Sequence, residues 1–187
     1  MSIQERAARI KLLLFDVDGV LTDGRVLVHS DATESKSFGI RDGIAIVWAQ
    51  RAGLKVGFLS ARTSPTTPHR AAQLGVSLVH QGVASKVQAY EGILAAEGVS
   101  DGDVAYMGDD IVDLGVLARV GLSAAPADAV VEVRAAVHWV SDAKGGDGAA
   151  RQLIETILRA QKRWDGIVAA YAADSPAGAG TGGRQQT

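Results

Sequence analysis

Lys11-Leu-Leu-Leu-Phe15 is a short, unbroken apolar run that stops abruptly at Asp16-Val-Asp-Gly19. A run of this length with no polar alternation reads as a strand buried on both faces, the kind that parallel sheets use. Similar runs recur at 54–59, 76–79, 104–107 and 121–124, with a weaker one at 136–140. Helical patterns lie between them: residues 43–51 place Ile44, Val47 and Trp48 on one face, and residues 86–97 do the same with Val87, Tyr90, Ile93 and Leu94. Strands that alternate with helices predict an α/β fold of Rossmann-like type, an open and mostly parallel sheet.

One segment breaks the rhythm. Residues 24–29 and 34–40 flank Ser30-Asp31-Ala32-Thr33, and this reads as a β-hairpin directly after the first strand, where a helix is normally expected. It is too short for a large cap domain and predicts a flap over the carboxyl edge of the sheet. Farther on, Gly145-Gly-Asp-Gly148 reads as a loop and residues 149–164 as one amphipathic helix. One domain is expected over residues 1–171. Residues 172–187 collapse to a composition of small and polar residues and read as a disordered tail.

Composition narrows the function. A net charge of −2 leaves no basic footprint for nucleic acid, and the absence of cysteine excludes disulfides and thiolate chemistry. No apolar run approaches the ~20 residues that span a bilayer, and residues 1–10 lack a signal-type apolar core. A cytoplasmic protein with no nucleic-acid or membrane partner is the expectation.

In open α/β sheets, ligands bind beyond the carboxyl ends of the strands. Asp16 and Asp18 follow the first run, Ser60 and Arg62 the second main one, and Asp109, Asp110 and Asp113 follow 104–107, while Lys86 opens a helix. Clustered carboxylates repel one another unless a hard cation neutralises them, and an oxygen-only set suits Mg2+. A phosphoryl group held between metal, Lys86 and a hydroxyl would have its charge offset in the transition state. One carboxylate can then attack phosphorus, and a second, two residues on, can protonate the leaving oxygen and later activate water.

The segments Asp16-Val-Asp-Gly-Val-Leu-Thr22, Ser60-Ala-Arg62, Lys86 and Gly108-Asp-Asp-Ile-Val-Asp113 resemble, in order, the four motifs of the haloacid dehalogenase superfamily. Lys36-Ser-Phe-Gly-Ile-Arg-Asp-Gly43, Gln81-Gly82 and Gly145-Gly-Asp-Gly-Ala149 are similar to its capless branch typified by the 3-deoxy-D-manno-octulosonate 8-phosphate phosphatases. The resemblance runs from about Ile10 to Trp164. It implies that Asp16 is the nucleophile and Asp18 the general acid and base, with Mg2+ on the Asp16 carboxylate, the Asp18 carbonyl and Asp109. Asp110 and Asp113 would hold water or orient Lys86, and Ser60 would donate to the phosphoryl group. Arg62, Arg41, Asp42 and Gly43 would meet a sugar-acid phosphate. The resemblance also implies a homotetramer in which neighbouring hairpins and Gly-rich loops close each site, and a place in lipopolysaccharide biosynthesis.

Two positions depart from the branch. Asp147 stands where many of these phosphatases have arginine, and Ser60-Ala-Arg62 replaces the commoner Thr-Gly-Arg. The first of these leaves a nonulosonate 9-phosphate or another small sugar phosphate as an alternative substrate. A catalytically idle subunit of the same fold and a phosphorylated receiver domain are alternatives of other classes. In a receiver, however, the acidic pair precedes the phosphorylated aspartate by a whole βαβ unit, and here the acidic cluster comes late. An EF-hand also fails, because Leu21 and Leu27 occupy the positions that need glycine and glutamate.

Overall fold

A computed structural model of the chain describes residues 1–173. After α1 (Ile3–Arg9) come β1 (Leu12–Phe15), a hairpin of β2 (Leu27–Val28) and β3 (Glu34–Ser35), and α2 (Ile40–Arg51). Then follow β4 (Lys55–Leu59), α3 (Thr66–Leu74), β5 (Leu78–His80), α4 (Lys86–Glu97) and β6 (Val104–Met107). The remainder is α5 (Leu114–Leu117), β7 (Leu122–Ala125), α6 (Val131–Ala136), β8 (Trp139–Val140), α7 (Ala149–Ala160) and α8 (Trp164–Ala173). Every pairing in the six-stranded sheet, ordered β5-β4-β1-β6-β7-β8, is parallel.

The period-2 geometry of β1 divides its side chains between two cores. Leu13 and Phe15 join Ala45, Ile46 and Ala49 of α2 and Leu153, Ile154, Ile157 and Leu158 of α7 on one face. Leu12 and Leu14 join Tyr90 and Ile93 of α4, Val116 and Leu117 of α5 and Val133 of α6 on the other. All four strand residues are fully buried, which is why the run shows no alternation. Each leucine so buried contributes roughly 1.5–3 kcal/mol, so β1 is the spine to which the site is attached.

The expected doubly covered sheet and hairpin flap are present, with no large cap among the described residues. Boundaries shifted in three places. The hairpin arms pair over only two residues each, and a Thr22–Phe38 bridge then returns the chain towards the body. The chain enters α2 three residues early, with Gly39 preceding its first turn. The long C-terminal helix is two helices: Lys162, at φ +58°, turns the backbone after α7, and Trp164 starts α8. Residues 172 and 173 of the expected tail complete α8; the rest of that tail lies outside the described residues.

Candidate active site

β1 lies between β4 and β6, and the chain winds outward from it in both directions, so the strand order reverses here. A crevice at such a reversal is where α/β sheets hold ligands. The Asp16 N–H donates to the Met107 carbonyl at 3.0 Å and the Ser60 N–H to the His80 carbonyl at 2.8 Å, so both residues are fixed by the last rungs of the sheet. Lys86 is the first residue of α4, whose N-terminus is capped by the Ser85 hydroxyl accepting from the Gln88 N–H at 3.3 Å.

The centre of the site is one buried polar network. Lys86 Nζ lies 3.0 Å from Asp16 Oδ2 and 2.6 Å from Asp113 Oδ1, and donates to the Tyr106 hydroxyl at 3.3 Å. That hydroxyl in turn donates to Asp113 Oδ1. The other Asp113 oxygen accepts from the Asp109 and Asp110 N–H groups at 3.1 and 3.3 Å. Asp113 therefore fixes the β6 loop and aims Lys86. Asp110 is exposed and accepts from the Ile111 N–H at 2.6 Å, capping the short turn that follows.

Oxygens of Asp16, Asp109 and Asp113 lie within 4.8 Å of one another. Burial, reinforced by this crowding, lifts the Asp109 carboxyl to about 7. Burial lifts Asp16 to about 6 even though Lys86 opposes the shift. Asp109 Oδ1 is buried with no hydrogen-bond partner. Orphaned oxygens of this kind are costly and call for a cation. Because Asp113 is already saturated, Asp16 and Asp109 are the carboxylates left to receive one, and the oxygen donor set fits Mg2+.

The loop of Asp16 is stapled from within. Thr22 is fully buried; its hydroxyl accepts from the N–H groups of Gly19 and Gly24 at 3.3 and 3.2 Å and donates to the Val17 carbonyl at 3.4 Å. Gly19 has φ +90°, and a Cβ there would sit 2.0 Å from Asp109 Oδ2. Only glycine lets the two loops meet. From the other side, the Gly146 N–H donates to the Val20 carbonyl at 2.9 Å, so the Gly-rich loop braces the Asp16 loop of its own chain.

The hairpin is pinned across this mouth at two points. Glu34 accepts from both terminal guanidinium nitrogens of Arg62 and from the Ser64 hydroxyl. Lys36 Nζ lies 2.6 Å from Asp18 Oδ1 and donates to Asp18 Oδ2 at 2.8 Å. Ser60 is buried beside this loop, its hydroxyl accepting from the Arg62 N–H at 3.3 Å.

Asp16, Asp18, Ser60, Lys86, Asp109, Asp110 and Asp113 thus converge at the carboxyl edge of the sheet. Asp42 and Gly43 have other contacts. Asp42 is buried and accepts from the Gly148 N–H at 3.1 Å and the Arg151 N–H at 2.8 Å, capping α7 from a different helix. Burial raises its pKa, against the pull of those two donors. Gly43 lies under the Arg70 guanidinium. Arg41 is exposed and lines a separate cavity of about 410 Å3 with Asp147, Arg151 and Glu155. Sequence reasoning gave no role to Tyr106, Thr22, Glu34 or Lys36. Tyr106 reads as one more core residue of its strand, Thr22 acts within its own loop on Val17, Gly19 and Gly24, and Glu34 and Lys36 act through partners that only the fold brings near.

Comparison with known proteins agrees with this geometry. The sequence profile of the haloacid dehalogenase-like hydrolases matches residues 67–153. The 3-deoxy-D-manno-octulosonate 8-phosphate phosphatase of Yersinia pestis is 39% identical over 162 residues, 87% of each chain. The crystal structure of the Moraxella catarrhalis phosphatase of that name, in complex with a magnesium ion, a phosphate ion and a KDO molecule, is similar with a TM-score of 0.89. It is 32% identical, and the match covers 90% of this chain and 97% of that one. The cobalt-bound Haemophilus influenzae phosphatase is 38% identical with a TM-score of 0.85, covering 90% of this chain and 98% of that one.

Proposed function

Because the chain belongs to the 3-deoxy-D-manno-octulosonate 8-phosphate phosphatases within the haloacid dehalogenase-like hydrolases, we propose that it hydrolyses that sugar-acid phosphate with Mg2+. The products are phosphate and the free acid used in lipopolysaccharide biosynthesis. The observation that carries the reading is the buried Asp16–Lys86–Asp113 network beside the orphaned Asp109 oxygen, at the point where the strand order reverses. An idle subunit would have no reason to keep so costly an arrangement.

A carboxylate oxygen of Asp16 attacks phosphorus, and the bond from phosphorus to the sugar oxygen breaks. Asp18 gives that oxygen its proton. Asp18 then takes a proton from water as the water attacks the phosphoaspartate, and Asp16 is released with inorganic phosphate. Lys86 and the Ser60 hydroxyl hold phosphoryl oxygens, with Lys86 aimed by Asp113 and Tyr106. Asp16, Asp109 and the Asp18 carbonyl would hold the magnesium ion, which when bound neutralises the carboxylates and draws charge from the phosphoryl group. Asp110 holds the turn that presents Asp109.

Arg62, already presented by Glu34, and Arg41 are the cations assigned to the sugar acid. Asp42 and Gly43 serve the substrate by fixing α2 against α7 and α3. The protein acts in the cytoplasm as a homotetramer; supporting an assembly that covers the hairpin, Leu27, Val28 and Ile40 around it are 63%, 70% and 78% exposed. No helix among the described residues is long and apolar enough to cross a membrane.

Asp147, exposed in the cavity that Arg41 lines, favours a second reading in which a nonulosonate 9-phosphate or another small sugar phosphate is preferred. The test is phosphate release with Mg2+ across a panel of sugar phosphates, for wild type and Asp16→Asn. Preference for octulosonate 8-phosphate with loss in the variant supports the first reading. Preference for another ester keeps the chemistry and changes the substrate. No release from any member supports an idle subunit.

A further inference from the structure

We propose that Lys36, supplied by the hairpin, is a positioning residue that holds the Asp18 carboxylate in the orientation needed for proton transfer to the leaving oxygen. The inference rests on the reading of Asp18 as acid and base. The side chain of Lys36 is 1% exposed, although lysines ordinarily keep their ammonium in water. Its acidic partner among the described residues is Asp18. Anchoring the hairpin does not require such a charge, because on either side of Lys36 the same arm is already tied down, by Glu34 to Arg62 and Ser64 and by the Thr22–Phe38 bridge to the Asp16 loop.

Both Asp18 oxygens lie against the one ammonium, Oδ1 at 2.6 Å and Oδ2, which accepts the aligned hydrogen bond, at 2.8 Å. The proton that Asp18 takes from water at the end of one turnover is the one given to the sugar oxygen in the next, so the carboxylate must keep one orientation through both halves. An aspartate has a free χ1 and a broad χ2, and an ammonium set against both oxygens removes that freedom. The hairpin is therefore a working part of the catalytic machinery as well as a cover over it.

The experiment is a series of substituted phenyl phosphates with Mg2+, with kcat/KM compared against the basicity of the leaving phenolate. Nitrophenolate leaves without help, whereas more basic phenolates need a proton. A fixed scaffold keeps sugar recognition out of the comparison. Lys36→Met is expected to lower kcat/KM about tenfold for phenyl phosphate and less than about threefold for p-nitrophenyl phosphate. Asp18→Asn should show the same trend more steeply, and Lys36→Arg should restore most of the loss. Lys36→Gln, shorter and neutral, repeats the test if the methionine variant does not fold. An equal loss across the series in the Lys36 variants, with a graded loss in Asp18→Asn, overturns the proposal and leaves Lys36 as an anchor of the hairpin. A gain of activity also overturns it, because Lys36 would then be restraining Asp18. A flat series in Asp18→Asn removes the acid–base reading and this inference with it.

Discussion

Replacing Asp42 with asparagine separates a brace from a substrate contact. The carboxylate accepts from the Gly148 N–H at 3.1 Å and from the Arg151 N–H at 2.8 Å, and so performs for α7 the capping that Gly148 has no side chain to perform. Asparagine keeps one acceptor and turns an NH2 group towards the second N–H. A charge-assisted hydrogen bond contributes ~1.5–3 kcal/mol. Some of that is offset because burial penalises the ionised carboxyl, whose pKa it raises, and the neutral amide escapes this penalty. The net cost is about 2 kcal/mol, and in a chain of this size that lowers Tm by roughly 4–8 °C. Thermal and urea unfolding with Mg2+ present measure it, alongside kcat and KM for octulosonate 8-phosphate below the transition. The expected result is the stability loss with kcat/KM within about threefold of wild type. An unchanged Tm with a KM raised tenfold or more would refute the reasoning and return Asp42 to the substrate.

Other perturbations have equally definite outcomes. Gly19→Ala puts a methyl carbon 2.0 Å from Asp109 Oδ2, which must retreat by about 1 Å; a displacement of that size costs ~10²-fold in kcat and should raise the Mg2+ concentration for half activity, so a wild-type titration would contradict it. Tyr106→Phe removes the hydroxyl shared by Lys86 and Asp113, and a kcat about tenfold lower with KM nearly unchanged is expected in steady-state kinetics. In the metal-free protein, folded Asp16 and Asp109 keep protons that the unfolded chain has released, with folded pKa values of about 6 and about 7 against 3.8 for an ordinary aspartate. Such groups favour the folded state at lower pH, and that contribution fades as pH rises through those values. Tm in chelator should therefore fall from pH 5 to pH 8, and saturating Mg2+ should flatten the decline.

Those predictions depend on features of unequal legibility in the sequence. The strand β1 and its acidic end were legible because the chemistry is local: an apolar run ends where the carboxylates begin. The ends of α4 were legible for the same reason, since Ser85 caps it and Gly98 takes the left-handed turn that ends it. The break between α7 and α8 was hidden because the turn falls on Lys162, a residue type that seldom adopts positive φ. Asp42 gave no sign of its task, because the N–H groups it caps lie more than a hundred residues away. Lys36, the first residue of the Lys36–Gly43 segment, and Glu34 show no partner in the sequence, and the fold brings Asp18 and Arg62 against them. Residues that belong to a motif, such as Asp16 and Lys86, are legible even where their partners are distant, whereas Glu34, Lys36 and Asp42 take their tasks from contacts that only the fold makes.

The most direct test of the central claim is a rapid-quench experiment with octulosonate 8-phosphate labelled in its phosphorus, in the presence of Mg2+. The account predicts an acid-stable acyl phosphate that forms before free phosphate appears, maps to the peptide containing Asp16 and is absent in Asp16→Asn. Label passing to water with no protein-bound intermediate, or a phosphorylated residue other than Asp16, would contradict it.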